Sequence, residues 1–211
     1  MEILELINNG SRQLKNRDIH SYKLDSELLL AKVLNKTREE LLINLNQKIE
    51  PQRISYFNRL IDRRSSKEPM AYILKEREFW SKNFLVNNNT LIPRPETELM
   101  VEKIVKIFKI KDIFILDIGT GTGCILLSIL SELKNSKGIG IDISQKAIQI
   151  AKTNSKKHQL TKRAKFYKRS LNDFFHNKFD LIVSNPPYIM KKDLKNLEED
   201  IKKFEPKLAL D

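Results

Sequence analysis

Over residues 1 to about 75 the apolar side chains recur at helical spacing. Ile3, Leu4, Leu6, Ile7 and Leu14 form one stripe, with Gly10 as a candidate interruption. Asp25-Ser26-Glu27 opens the run Leu28 to Leu34, placing acids in a first turn where backbone N–H groups lack partners. Thr37 followed three residues later by Glu40, just before Leu41-Leu42, has the pattern of a capping box. Pro51 suits the first position of a further helix with Ile54, Phe57, Leu60 and Ile61 on one face, and Pro69 ends that series or starts the next turn. The pattern predicts a small helical bundle over 1–75, with its polar clusters on solvated faces.

From Tyr72 to Leu91 the period changes. Glu78-Phe79-Trp80 and Asn83-Phe84-Leu85-Val86 carry the aromatic and branched residues of strands, separated by Ser81-Lys82, and Asn87-Asn88-Asn89 is a turn signal. A β-hairpin linker is expected over 76–92, with Trp80 as a packing residue. Prolines then hold Leu91-Ile92-Pro93-Arg94-Pro95-Glu96-Thr97-Glu98 extended before a helix that carries Leu99, Val101, Ile104, Val105 and Phe108. Arg94, Glu96 and Glu98 either belong to a rigid helix lead-in or face a site; local chemistry does not choose.

The remainder, 93–211, alternates strand and helix. Ile113 to Ile118 reads as a buried strand, Gly119-Thr120-Gly121-Thr122-Gly123 follows at once, and Cys124 to Leu130 reads as a helix. Glycines are needed there because the backbone turns sharply and must approach a ligand closely, where a Cβ would collide. A second strand, Gly138 to Ile143, carries Asp142 nineteen residues beyond Gly123, about where an acid meets ribose hydroxyls. Ser144 caps the next helix. Ala164 to Tyr167 is a third strand leading to Ser170-Leu171, and Phe179 to Ser184 is a fourth, with Leu181-Ile182-Val183 as its buried run. That strand stops at Asn185-Pro186-Pro187-Tyr188. Neither proline can donate a backbone hydrogen bond, and Asn185 is pushed into extended backbone by the proline after it. A stiff turn results, offering an amide, free carbonyls and an aromatic ring at the ligand-binding end of a sheet.

Composition narrows the class. The 211 residues are 40% hydrophobic and 31% charged, an ordinary balance for a globular protein. No apolar run approaches the roughly 18 residues of a membrane span. The acidic, amphipathic start is not a signal peptide. A lone Cys124 excludes an intramolecular disulfide framework and fits a reducing cytosol. His20, His158 and His176 lack ligand spacing and are expected at the surface, so no metal site is indicated. Cys124 reads as packing behind the loop. The net charge of +12 suits a polyanionic partner such as RNA, but its lysines are spread along the chain as compositional drift would spread them.

A dinucleotide enzyme would want G-x-G-x-x-G, whereas the spacing here is G-x-G-x-G with Asp117 two residues before the first glycine. That resembles motif I of S-adenosylmethionine-dependent methyltransferases. Asn185-Pro186-Pro187-Tyr188 resembles the signature of enzymes that methylate a nitrogen on a planar carbon. With Glu68-Pro69-Met70-Ala71-Tyr72-Ile73, Glu78-Phe79-Trp80, Leu91 to Glu98 and Phe204-Glu205-Pro206, the whole chain resembles the peptide chain release factor glutamine methyltransferases.

The resemblance implies an α/β fold in which helices 1–75 recognise a release factor and 93–211 is a Rossmann-like methyltransferase domain. It implies S-adenosylmethionine as donor, held by Asp117, Gly119, Thr120, Gly121, Thr122, Gly123 and Asp142, with Ser170 or Leu171 against the adenine. Leu171 departs from the bulky aromatic often found there. The implied substrate is the Gln of the Gly-Gly-Gln motif in class I release factors, bound by Asn185, Pro186, Pro187 and Tyr188. Of these, Asn185 and the Pro186 carbonyl would hold the two amide N–H groups, and Tyr188 would pack over the amide plane. A cytoplasmic monomer without direct nucleic-acid or membrane binding is expected.

Members of that family continue past the segment matching Glu205 to Asp211 with strands that complete a seven-stranded sheet. With Asn185 on an unprotected edge strand, the 211-residue product is therefore expected to be either a truncated gene product or poorly stable and weakly active. A nucleic-acid amino-group methyltransferase and an inactive remnant are the alternatives.

Overall fold

The computed structural model describes residues 1–171, 178–187 and 199–206. The chain divides into two compact units, Met1–Leu74 and Lys75–Asp211. Among the described residues no helix is long and apolar enough to cross a membrane.

The first unit is helical: α1 (Ile3–Lys15), α2 (Tyr22–Leu34), α3 (Arg38–Ile43), α4 (Pro51–Ser65) and α5 (Met70–Leu74). Ile3, Leu6, Leu14, Leu29, Leu30, Phe57 and Ile61 are among the side chains that meet in its core. Gly10 does not interrupt α1. A Cβ there would sit 2.6 Å from the Ser26 hydroxyl and 2.9 Å from both Phe57 and Ile61, so glycine lets α1 lie close against α2 and α4. The Thr37–Glu40 capping box forms, with the Glu40 N–H on Thr37 Oγ1 at 3.2 Å and the Thr37 N–H on Glu40 Oε2 at 2.8 Å. Pro51 opens α4, where its missing N–H costs nothing.

The polar residues of α2 depart from expectation. The helix starts three residues before Asp25, and Asp25, Ser26 and Glu27 are buried rather than solvated. Ser26 donates to the Ile7 carbonyl at 3.0 Å. Asp25 accepts from Arg64 Nε at 2.7 Å and from Ser21 Oγ at 2.8 Å, and Glu27 accepts from Arg38 Nε at 2.6 Å. Their spacing reads as a helix start, but packing against α4 and α3 makes them interior ion pairs.

The second unit begins with an antiparallel hairpin of β1 (Glu76–Phe79) and β2 (Lys82–Leu85). Trp80 is not in the strand, as its aromatic character suggested. It forms the two-residue turn with Ser81, at φ of 53° and 52°. Such turns favour Asn-Gly because both residues need positive φ. Here anchoring offsets the strain: the Trp80 backbone N–H donates to Glu98 Oε1 at 2.9 Å and its indole N–H to Glu132 Oε1 at 3.0 Å. Phe79 and Phe84 enter the core of this same unit, so the hairpin is packed into it rather than strung out as a linker.

A 3-10 turn (Pro95–Thr97) leads into α6 (Glu98–Ile107), followed by β3 (Phe114–Ile118), α7 (Cys124–Glu132), β4 (Lys137–Asp142), α8 (Gln145–Lys157), β5 (Ala164–Lys168), β6 (Leu181–Ser184) and α9 (Glu199–Phe204). The four sheet strands are parallel in the order β5-β4-β3-β6. This is the Rossmann-like α/β arrangement expected for 93–211. The order reverses between β3 and β6, and a crevice opens at their carboxyl ends. Among the described residues β6 pairs only with β3, as an edge strand. Its run is therefore not buried throughout: Val183 is, but Ile182 is 60% exposed.

Candidate functional site

The crevice holds a cavity of about 450 Å³. Gly119, Thr120, Gly121 and Thr122 line it from the loop after β3, Asp142 from the end of β4, and Asn185, Pro186 and Pro187 from the end of β6. Leu171 lines it too and is 51% exposed; Ser170 is half-buried and not part of the lining. The far wall comes from segment 88–94 and from Pro206. Tyr188 lies outside the described residues, as does His176.

The three loop glycines divide into two kinds. All have positive φ. At Gly119 a Cβ would meet nothing within 4 Å, and at Gly121 only the Gly119 carbonyl at 3.9 Å, so these two leave an open cradle facing the cavity. At Gly123 a Cβ would come within 3.2 Å of Leu127 and Phe166 and 3.3 Å of Ala151, so its constraint is packing against α7, β5 and α8. The loop is pinned through its first three residues. The N–H groups of Gly119 and Thr120 both donate to the Ile141 carbonyl at 2.9 Å, and the Gly121 N–H donates to Asp142 Oδ2 at 3.0 Å. The other Asp142 oxygen accepts from the Ser144 N–H at 2.8 Å. Asp142 thus braces the loop while its remaining lone pairs stay available to a hydroxyl.

Asp117 stands behind the cavity rather than in its lining. It is fully buried, and Oδ2 accepts from Thr120 Oγ1 at 2.6 Å while Oδ1 has no hydrogen-bond partner among the described residues. Burial pushes its carboxyl up to about 7; the Thr120 hydroxyl and the nearby Leu126 N–H oppose that rise without cancelling it. Burial likewise pushes the Cys124 thiol up to about 12, so it is no thiolate nucleophile. His158 is not a plain surface residue: its ring packs 4.7 Å from that of Phe84, and burial lowers its pKa.

Ser184 and Asn154 support the site without a local sequence signal, and Arg94, which local chemistry left open, does so through a distant partner. The Ser184 hydroxyl donates to the Ile118 carbonyl at 2.9 Å, tying the end of β6 to the glycine loop. Asn154 of α8 is fully buried and donates to the carbonyls of Leu85 (3.0 Å) and Thr122 (2.9 Å) while accepting from the Leu85 N–H (2.7 Å). It joins the hairpin to the loop. Arg94, in the cavity wall, pairs through Nη2 with Glu205 Oε1 at 2.6 Å, across 111 positions of sequence. Glu205 is buried, and desolvation raises its pKa against the pull of Arg94. Glu98 binds the hairpin turn, and Glu96 is exposed.

Residues 5–74 match the PrmC N-terminal domain, and residues 109–207 match a methyltransferase domain. The release factor glutamine methyltransferase of Buchnera aphidicola subsp. Acyrthosiphon pisum is 41% identical over 213 residues, covering all of this chain and 74% of that protein. The chain belongs to the release factor glutamine methyltransferase family. The Caulobacter vibrioides member is 36% identical over 94% of this chain and 70% of its own length. A bifunctional methyltransferase of Rickettsia typhi is 36% identical over 99% of this chain, which spans 44% of that longer protein. The family carries both units: the helical match ends at the first unit's boundary, and the methyltransferase match spans the cavity's glycine loop, Asp142 and Asn185.

Proposed function

We propose that this chain binds S-adenosylmethionine in the cavity and methylates the side-chain amide nitrogen of the Gln in the Gly-Gly-Gln motif of class I release factors. One observation carries the reading: the open glycine cradle, Asp142 and Asn185-Pro186-Pro187 line one cavity. The residues fit the donor. Gly119 and Gly121 leave the space a Cβ would fill, and Asp142 keeps acceptor capacity for ribose hydroxyls beside it. Bound there, the donor supplies an electrophilic methyl group on a sulfonium.

The chain's own part is orientation. An amide nitrogen is a poor nucleophile because its lone pair is delocalised into the carbonyl, and it attacks before it loses a proton, so no strong base is needed. Acceptors that hold both N–H groups aim that lone pair. The Asn185 side-chain oxygen has no hydrogen-bond partner among the described residues, and Pro186 offers a carbonyl on a backbone stiffened by Pro187. Tyr188 would pack over the planar amide. The helical unit would recognise the release factor in the cytosol, a role supported by its domain match.

The test is transfer of labelled methyl from S-adenosylmethionine to purified release factor. Label is expected on the release factor and absent from its Gln→Ala variant. Label on RNA or DNA, and none on the release factor, would overturn the reading in favour of a nucleic-acid amino-group methyltransferase, the reading the charge of +12 would suit.

A further inference from the structure

Arg94 and Glu205 are charged residues for which the reaction above has no use. Arg94 lines the cavity; Glu205 adjoins Pro206, which also lines it. The Glu205 side chain is 1% exposed and that of Arg94 32%. Of five guanidinium N–H donors, Arg94 commits Nη2 to Glu205 and makes no other hydrogen bond among the described residues. Arg169, the other cation in the lining, is exposed and has no carboxylate partner among the described residues. Arg94 is therefore the cation held in place in the wall.

A guanidinium fixed by one edge presents its other edge as a planar fork, which matches a carboxylate. S-adenosylmethionine carries a single carboxylate, on its amino-acid portion. We infer that Arg94 binds the carboxylate of the donor, and that Glu205 is a positioning residue that holds Arg94 for it. The buried Glu205 earns its place by fixing the direction of a long, flexible side chain that would otherwise lose rotamer entropy on binding. This rests on the donor reading above.

The test compares two ligands by titration calorimetry on the whole chain: S-adenosylhomocysteine and its decarboxylated analogue, which keeps adenosine, sulfur and amine. The unaltered chain should bind the first about 10- to 100-fold more tightly, the range of a charge-assisted hydrogen bond. Arg94→Ala should abolish that preference while leaving the analogue's affinity within about twofold, a result that also shows the cavity to be intact. Arg94→Lys should keep part of the preference and Glu205→Gln should narrow it. Equal weakening of both ligands in Arg94→Ala, or an undiminished preference, would overturn the assignment and leave the donor reading standing. Binding of neither ligand by the unaltered chain would overturn both.

Discussion

The two units bury acids in different ways. In the helical unit Asp25 and Glu27 each meet an arginine, and neither has a carboxylate oxygen among the buried atoms that lack a partner. In the second unit Asp117 and Glu205 are just as hidden, yet among the described residues each keeps one buried oxygen without a hydrogen-bond partner. A scaffold satisfies its interior charges because an unsatisfied one costs stability. A site retains such costs where a ligand or a catalytic step needs the geometry. The difference separates a unit whose buried acids are all paired from the unit that contains the cavity proposed to hold the donor.

The sharpest break between the two comes from pH. Asp117 has a folded pKa near 7 because burial disfavours its charged form, against an unfolded value of about 4. The folded state therefore prefers the protonated acid. Its favourable contribution is complete below pH 4, declines as pH rises towards 7, and stays lost above. The loss at neutral pH is on the order of 4 kcal/mol. Denaturant melts of the chain and of Asp117→Asn between pH 4 and 8 should diverge in that direction, with the variant the more stable at pH 8. Parallel curves would remove Asp117 from the unsatisfied class.

Next in size, Arg64→Ala leaves Asp25 buried without its partner and should cost the helical unit about 3 kcal/mol, read as a lower midpoint in its melt. A loss below about 1 kcal/mol would mean that this pair behaves like an exposed one. Asn185→Ala should behave oppositely. Methyl transfer should fall about 100-fold, the scale of one positioned transition-state hydrogen bond, with the melting midpoint unchanged. Activity within a factor of three of the unaltered chain would remove Asn185 from the catalytic machinery. Smallest is Thr37→Ala, which removes one cap and should lower stability by about 1 kcal/mol with transfer chemistry intact. A lowered kcat there would contradict the division of labour between the units.

What could be read from the residues alone was whatever is local. Gly119 to Gly123 read as a tight cavity-lining loop because the positive-φ backbone and its glycines sit in one pentapeptide, and Pro186-Pro187 read as a stiff strand end for the same reason. The Arg94–Glu205 pair joins residues 111 apart, so neither partner carries a sign of the other. Asn154 reads as one polar residue of an amphipathic helix, because its three partners lie on a hairpin and a loop elsewhere in the chain. Ile182 looks like core because an edge strand and a central one have the same apolar run, and neighbours rather than residues decide between them. Asp25 and Glu27 fit a helix start by type, and only the packing of α4 and α3 reveals them as interior.

The turn at Trp80 has an experimental consequence. Trp80 is the sole tryptophan of the chain, and it sits in the second unit with its indole N–H on Glu132. Tryptophan emission is therefore an optical reporter placed in the second unit. Far-ultraviolet ellipticity sums over both units and draws on the five helices of the first. Followed together through one denaturation, the two signals resolve whether the units melt as one body or in succession, without a label or a cut in the chain.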